Sequence, residues 1–303
     1  MGSMRWAFGC GAWTPGRAQW LQAARCVQSE EKLRIGQFVF TRDAKAAMAG
    51  RLMIRKVIAD TLNIPWDEIV LQRTAKGKPF LANDVSSTFP NFSFNVSHQG
   101  DYAVLAAEHS HQVGIDVMKT DFPGSGSVEE FFRIMKRQFT ETEWKSIKCV
   151  DSEWTQLHTF YRHWALKESF IKALGIGVGF NLQRIEFQPS PRQMEVGKVY
   201  KETKMLLDGE EEEGWLFEET MLDERHHVAV AVAVAIEKPN CFKEKHSHYI
   251  SGGAADQMPT QFTFLTFEEL VASAVPLLPE DPAYWDSFIS KQETPSRQGA
   301  HST

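Results

Sequence analysis

The chain has 303 residues, 43% of them hydrophobic and 24% charged, which is enough apolar material for one large or two modest folded domains. A net charge of −6 argues against a general nucleic-acid binder, and the longest apolar run, VAVAVAVAI at 228–236, is too short to cross a bilayer. Four scattered cysteines (Cys10, Cys26, Cys149, Cys241) make no metal or redox spacing and suit a reducing compartment, so a soluble cytosolic protein is expected.

In chain order, residues 5–13 read as an extended piece, and the opening MGSMRWAFGCGAW has no signal-peptide core. Ser29 with Glu30 and Glu31 predicts a helix start, with acids in the first turn, for a helix reaching about Phe40. Thr41 or Asp43 can cap a longer helix to about Leu62, rich in alanine and holding Gly50 for close packing. EIVLQR, KPFLA, NFSFNVS and YAVLAAE read as strands. The order then repeats: HQVGIDVMK as a strand, helices over about 127–149 and 153–174, then QRIEFQ, VGKVYKETKMLL, GWLFEET and HHVAVAVAVAI as strands. The expected fold class is α+β, with two like-shaped halves (1–110 and 111–240), a cleft between them, and a tail over 241–303 partly ordered on the body. The end of that tail is expected to be disordered.

Several segments carry residues suited to phosphate and metal chemistry. In GIDVMK, strand alternation sends Val113, Ile115 and Val117 to one face and Gly114, Asp116 and Met118 to the other. Gly114 beside Asp116 suggests room for a ligand near the backbone. In NFSFNVSHQGDY, Asn95 and Ser97 share a polar face opposite Phe92, Phe94 and Val96, and His98 follows at the strand end. RTAKGKP sets Arg73, Lys76 and Lys78 around Gly77, a cluster suited to a polyphosphate or, more simply, to a solvated hairpin turn. GIGVG at 175–179 follows a helix rather than a strand, so it is not a dinucleotide fingerprint. WALKESFIKALG is a helix closed by Gly175, with Lys167 inside its apolar arc and Glu168 and Lys172 at the arc's edge. A Glu168–Lys172 pair four residues apart is the simplest explanation for that edge. Two carboxylates, a histidine and surplus cations together point to Mg²⁺-dependent chemistry on a phosphate ester.

Four motifs, RTAKGKP (73–79), FNVSHQGDYAV (94–104), GIDVMK (114–119) and WALKESFIKALG (164–175), resemble in order and spacing those of the 4′-phosphopantetheinyl transferases. The closest likeness is to the larger, two-halved group that includes the surfactin-synthetase activator. The resemblance implies a pseudo-dimer of α+β halves with the active site between them. It also implies transfer of 4′-phosphopantetheine from coenzyme A to a carrier-domain serine, releasing adenosine 3′,5′-bisphosphate. By motif position, Asp116 and Glu168 would hold Mg²⁺, with Lys172 supporting the diphosphate and Glu168 a candidate acceptor for the serine proton. Arg34, Arg73, Thr74, Ala75, Lys76, Gly77, Lys78, Asn95, Val96, Ser97 and His98 would correspond to coenzyme-contacting positions, as would Asp116 and the run Glu168, Ser169, Phe170, Ile171 and Lys172. Many members carry a third acid where this chain has Met118, and Gln99 is the candidate replacement. The implied partners are carrier domains of fatty acid synthase and of the aminoadipate pathway, with no nucleic acid or membrane, and a monomer suffices. Lys136 and Arg137 in FFRIMKRQF are candidates for meeting an acidic carrier helix, a solvated face being the alternative.

Overall fold

The computed structural model describes residues 2–124, 126–177, 179–190, 193–234 and 261–293. The first half runs β1 (Met4–Phe8), α1 (Arg17–Arg25), α2 (Ser29–Gly36), α3 (Thr41–Leu62), the hairpin β2 (Leu71–Arg73) and β3 (Pro79–Leu81), then β4 (Ser93–Gln99) and β5 (Tyr102–Glu108). The second runs β6 (Val113–Lys119), α4 (Val128–Ile134), α5 (Glu141–Lys148), α6 (Glu153–Leu174), β7 (Ile185–Gln188), β8 (Val199–Tyr200), β9 (Lys204–Leu207), β10 (Glu210–Glu211), β11 (Trp215–Met221) and β12 (His226–Ala233). Each half thus has a leading strand, one 22-residue helix and a closing antiparallel hairpin. From the tail come β13 (Thr263–Phe264), α7 (Phe267–Val271) and α8 (Pro282–Ile289). No helix among the described residues is long and apolar enough to cross a membrane.

The alternation VAVAVAVA explains how α6 lies so low. Val228, Val230 and Val232 enter a core shared with Val113, Ile115 and Val117 of β6 and with Ala7, Val104 and Ala106 of the first sheet. Ala229, Ala231 and Ala233 take the opposite face, under Leu166, Phe170 and Ala173 of α6, where their small side chains let the helix approach. In the first half, Gly50 does the same for α3, since a Cβ there would already touch Val96.

The two four-stranded sheets, β13-β1-β5-β4 and β6-β12-β11-β8, do not merge into one. Side chains of β4 instead satisfy the free edge of β6. Ser93 Oγ accepts from the Val113 amide (3.2 Å), Asn95 Oδ1 from Ile115 (2.9 Å) and Gln99 Oε1 from Lys119 (2.5 Å). Unpaired buried amides are costly, so this ladder of side chains is a physical reason for the halves to adhere. A buried Arg5 adds a second tie, bonding Glu108 of its own half (2.6 Å) and Glu218 of the other (2.8 Å).

Local details depart from expectation at the caps. Ser29 and Thr41 are the first helical residues rather than caps, and neither Gln28 nor Phe40 before them makes a side-chain cap bond. Helix α1 was not predicted, although it buries Trp20, Leu21, Ala23 and Ala24. The tail docks on the first half: β13 lies parallel to β1, and Phe288 of α8 stacks on Trp20 with centroids 3.9 Å apart. The disordered end expected of the tail, and Cys241, lie outside the described residues.

Candidate active site

Helix α6 ends as its sequence demands, with Gly175 in the left-handed conformation (φ 68°). Its two lysines have different fates. Lys167 is buried and donates to Glu143 of α5 (2.7 Å) and to the carbonyls of Leu182 and Ile185 (2.8 Å each). Glu143 also accepts from the amides of Thr140 and Phe187, so the pair is fully satisfied within the second half. Burial lowers the Lys167 pKa and raises that of Glu143. Lys167, inside the apolar arc, is therefore part of the interior of the second half and does not border the cleft.

Lys172 does reach the cleft. Expected to pair with Glu168, it donates instead to Asp116 Oδ1 (2.5 Å) and Ser97 Oγ (2.7 Å). Ser97 Oγ itself donates to the same Asp116 oxygen (2.8 Å). Asp116 is buried, and its second oxygen, Oδ2, has no hydrogen-bond partner among the described residues. Glu168, one turn before Lys172, has its carboxyl pKa raised by burial and then by the charge of Asp116, with Lys172 opposing. The two acids from distant segments thus share one electrostatic neighbourhood.

Gly114 serves a different neighbour from the one expected. A Cβ there would stand 2.1 Å from Ser169 O and 2.3 Å from Ala173 N, so the room beside its backbone is filled by α6 and not by a ligand. That close approach brings Asp116 on β6 up to Glu168 and Lys172 on α6.

A cleft of about 520 Å³ opens in front of these groups, lined by Lys76, Gly77, Lys78, Asn95, Val96, Trp164, Glu168, Ile171, Lys172 and Phe180, among others. The β2–β3 turn forms one wall, with Gly77 at φ 84° and its amide donating to Thr74 O. Lys78 Nζ donates to Lys172 O (2.9 Å) and Lys76 Nζ to Ile176 O, so both lysines dock on carbonyls at the C-terminal end of α6. Burial lowers the pKa of Lys78. Thr74 and Ala75 are exposed on the turn. His98 stands where solvent still reaches it, yet surrounding protein lowers its imidazole pKa, and Lys172 and Arg51 push it further down.

Not every expected contact residue meets the cleft. Phe170 packs edge-on to Trp215 in the core, and Ser169 is buried with its hydroxyl donating to Leu166 O, so neither side chain faces a ligand. Gln99 is exposed, with its side-chain oxygen on the Lys119 amide. A carbonyl oxygen has two lone pairs, so that bond leaves one for a further partner. Arg34 is exposed on α2. Arg73 grips Glu31 with two nitrogens (2.8 and 2.9 Å) and donates with the third to Gly77 O (2.6 Å). Glu31 and a second arginine on it, Arg51 of α3, were missed by sequence reasoning. The available signal was a cation in the middle of the apolar run AMAGRLMI. In FFRIMKRQF, Phe132 and Phe139 join the core while Lys136 and Arg137 are exposed.

Two similar halves, a cleft between them and paired acids on facing elements define a class of protein, and family comparison agrees. Residues 11–110 match the model of the 4′-phosphopantetheinyl transferase N-terminal domain, and residues 112–231 match that of the 4′-phosphopantetheinyl transferase superfamily. The chain belongs to the 4′-phosphopantetheinyl transferases, enzymes that move 4′-phosphopantetheine from coenzyme A to carrier proteins. It is 62% identical over 298 residues to the L-aminoadipate-semialdehyde dehydrogenase-phosphopantetheinyl transferase of Xenopus laevis, covering 98% of this chain and 95% of that protein. The Homo sapiens protein of the same name is 60% identical over 302 residues, 100% of this chain and 96% of its own. A phosphopantetheinyl transferase of Thraustochytrium is 39% identical over 234 residues, 75% of this chain and 77% of its own length.

Proposed function

We propose that coenzyme A lies in the cleft with its diphosphate between Asp116, Glu168 and Lys172, and that the two acids hold Mg²⁺ against it. The observation that carries this is the buried Asp116 Oδ2, unpartnered among the described residues, together with Glu168, whose proton affinity is raised by burial and by the charge of Asp116. Among the described residues there is no group of three or more metal-ligating side chains. That suits Mg²⁺, which is commonly held by one or two carboxylates plus phosphate oxygens and water. When bound, the cation would neutralise charge on the diphosphate oxygens.

The chain's own groups then have distinct tasks. Lys172 pairs with Asp116, and Ser97 fixes that carboxylate to the first half. Lys76, Lys78 and the Gly77 turn border the cleft where the phosphates would lie. Asn95, with its oxygen spent on the Ile115 amide, keeps its amide nitrogen for the coenzyme. Gln99 is the candidate third ligand. The acceptor serine oxygen forms a bond to the phosphorus carrying the pantetheine arm, and the bond from that phosphorus to adenosine 3′,5′-bisphosphate breaks. Glu168 takes the serine proton, a role its raised pKa favours. Near-normal turnover by Glu168→Gln with Mg²⁺ still bound would remove that role.

The acceptors we infer are the carrier domains of aminoadipate-semialdehyde dehydrogenase and of fatty acid synthase, with exposed Lys136 and Arg137 offered to their acidic helices. Both halves of the cleft come from one chain, which supports a monomer, and free Cys10, Cys26 and Cys149 support a cytosolic setting. Labelling of apo carrier domains with fluorescent coenzyme A, with and without Mg²⁺ and with Asp116→Asn, tests the reading. Mg²⁺-independent labelling, or release of adenosine 3′,5′-bisphosphate without any carrier, would overturn it.

A further inference from the structure

The hairpin turn between β4 and β5 is gripped from across the seam. Its ladder closes at Gln99 and Tyr102, so Gly100 and Asp101 form a two-residue turn, with Gly100 left-handed at φ 63°. The Asp101 amide lies outside the ladder and needs another acceptor. That acceptor comes from the second half: Nε2 of His226, the first residue of β12, at 3.1 Å. The approach is close, since a Cβ on Gly100 would stand 2.4 Å from the same nitrogen and 2.8 Å from Cβ of Lys119 on β6.

The second half is built to present that nitrogen. His226 is buried, and its Nδ1 lies 2.8 and 2.9 Å from the two oxygens of Asp223. Asp223 Oδ1 also accepts from the amides of Arg225 and His226 (2.8 Å each), so this carboxylate is an acceptor throughout. Nδ1 therefore carries the imidazole proton, and Nε2 keeps a lone pair for the turn. Asp101 Oδ2, 3.5 Å from Nε2, is taken by Lys119 Nζ at 2.6 Å. Lys119 is the cross-strand partner of His226, and its amide donates to Gln99 Oε1. The Tyr102 ring completes the grip, meeting the imidazole edge-on with centroids 4.8 Å apart.

His226 lies outside the cleft lining, but the turn it holds directly follows His98 and Gln99. The charges of Lys172 and Asp116 act on His98, so the end of β4 stands in the field of the site. We propose that His226 is a positioning residue: by accepting the Asp101 amide it fixes the end of β4 against β6 and keeps Gln99 available to the cation of Asp116 and Glu168. The inference rests on the reading of the cleft given above.

The test uses the full-length protein with His226→Asn and His226→Gln. Asparagine keeps a donor near the Nδ1 position for Asp223 and offers no acceptor where Nε2 was; glutamine reaches that point with an amide oxygen that can accept from Asp101. In the ligand-free protein, hydrogen exchange at the Asp101 amide should quicken by about 2- to 12-fold in His226→Asn, the worth of one hydrogen bond, and stay near the wild-type rate in His226→Gln. The Mg²⁺ concentration that half-saturates labelling of one apo carrier domain should rise by up to the same factor in His226→Asn and return toward wild type in His226→Gln. KM for coenzyme A at saturating Mg²⁺ should stay within about twofold, a split that general damage to the fold would not give. Lys119→Met loosens the same turn without touching the buried imidazole and should raise the Mg²⁺ requirement in the same direction.

An unchanged Asp101 exchange rate in His226→Asn, or faster exchange with an unchanged Mg²⁺ requirement, would overturn the proposal. So would equal losses in His226→Asn and His226→Gln, or a rise in KM for coenzyme A as large as that in the Mg²⁺ requirement. If His226→Asn does not fold, Lys119→Met decides, and an unmoved Mg²⁺ requirement there overturns it. Labelling by the wild type without Mg²⁺ would fail the reading of the cleft; Mg²⁺-dependent labelling by the wild type with no shift in any variant fails this inference alone.

Discussion

Gly114→Ala adds one methyl group between β6 and α6, where there is no space for it. The new carbon would lie 2.1 Å from Ser169 O and 2.3 Å from Ala173 N, against about 3.4 Å for an ordinary contact, so strand and helix must separate by about 1.3 Å. Both atoms are backbone, so no side chain can rotate out of the way. Overpacking of this kind costs about 1–3 kcal/mol, and rigid backbone on both sides puts this variant at the upper end. The functional loss should be larger than the stability loss. Ser169 and Ala173 each directly follow a site residue, Glu168 and Lys172, and Asp116 lies two residues along the strand from Gly114. Opening that seam separates the acids, and a misplacement of about 1 Å can cost about 10²-fold in rate. Carrier labelling over a Mg²⁺ titration, with denaturant unfolding of the ligand-free protein, reads both quantities. Turnover within twofold of wild type and stability within 0.5 kcal/mol (about the scatter of surface substitutions) would refute the claim that this contact sets the site.

Other perturbations separate structural from catalytic charges. The raised Glu168 pKa means that the folded chain binds this proton more tightly than the unfolded chain, so stability falls as pH rises from the ordinary glutamate range through the folded value. Glu168→Gln should therefore melt higher than wild type at neutral pH without ligands, with the gap closing in acid, while turnover drops; a lower melt at pH 7.5 contradicts this. Lys167→Met strands the carboxylate of Glu143 and should cost about 3–5 kcal/mol, easing as acid protonates Glu143, with KM for coenzyme A unchanged. A loss below 1 kcal/mol in urea unfolding would show that the pair is not needed. Phe288→Ala opens a cavity against Trp20 and should cost about 3–5 kcal/mol. It should also raise KM for coenzyme A, because α8 carries Tyr284, whose hydroxyl bonds Lys32 O on α2 beside Glu31 and Arg34. A full stability loss with unchanged KM would uncouple the tail from the site.

Much of the fold was legible because it rests on local periodicity. The alanine-rich segment ending at Leu62 and the 153–174 segment are helices as their patterns gave, the first beginning at Thr41 rather than after a cap there and the second stopped by Gly175. The valines and alanines of β12 divide between two cores as strict alternation requires. Helix α1 escaped notice because nine residues after Pro15 and Gly16 offer only about two and a half helical turns of pattern. The tail was readable as an apolar island but not as the partner of Trp20, since nothing near residue 288 names a residue near 20.

The sequence by itself determined the two long helices and the main strands, the faces of β6 and β12, and, through four motifs, the family. Only the tertiary structure decided what each polar group meets. Lys167 and Lys172 sit on one helix five residues apart, yet the first is enclosed by Glu143 and two carbonyls while the second holds Asp116. Gly114 looked like space for a ligand and is space for α6, and Arg51, in none of the four motifs, joins Arg73 on Glu31. The reason is range: backbone periodicity acts over a few neighbouring residues, whereas the partner of a charge comes from chain-distant segments that only packing brings together.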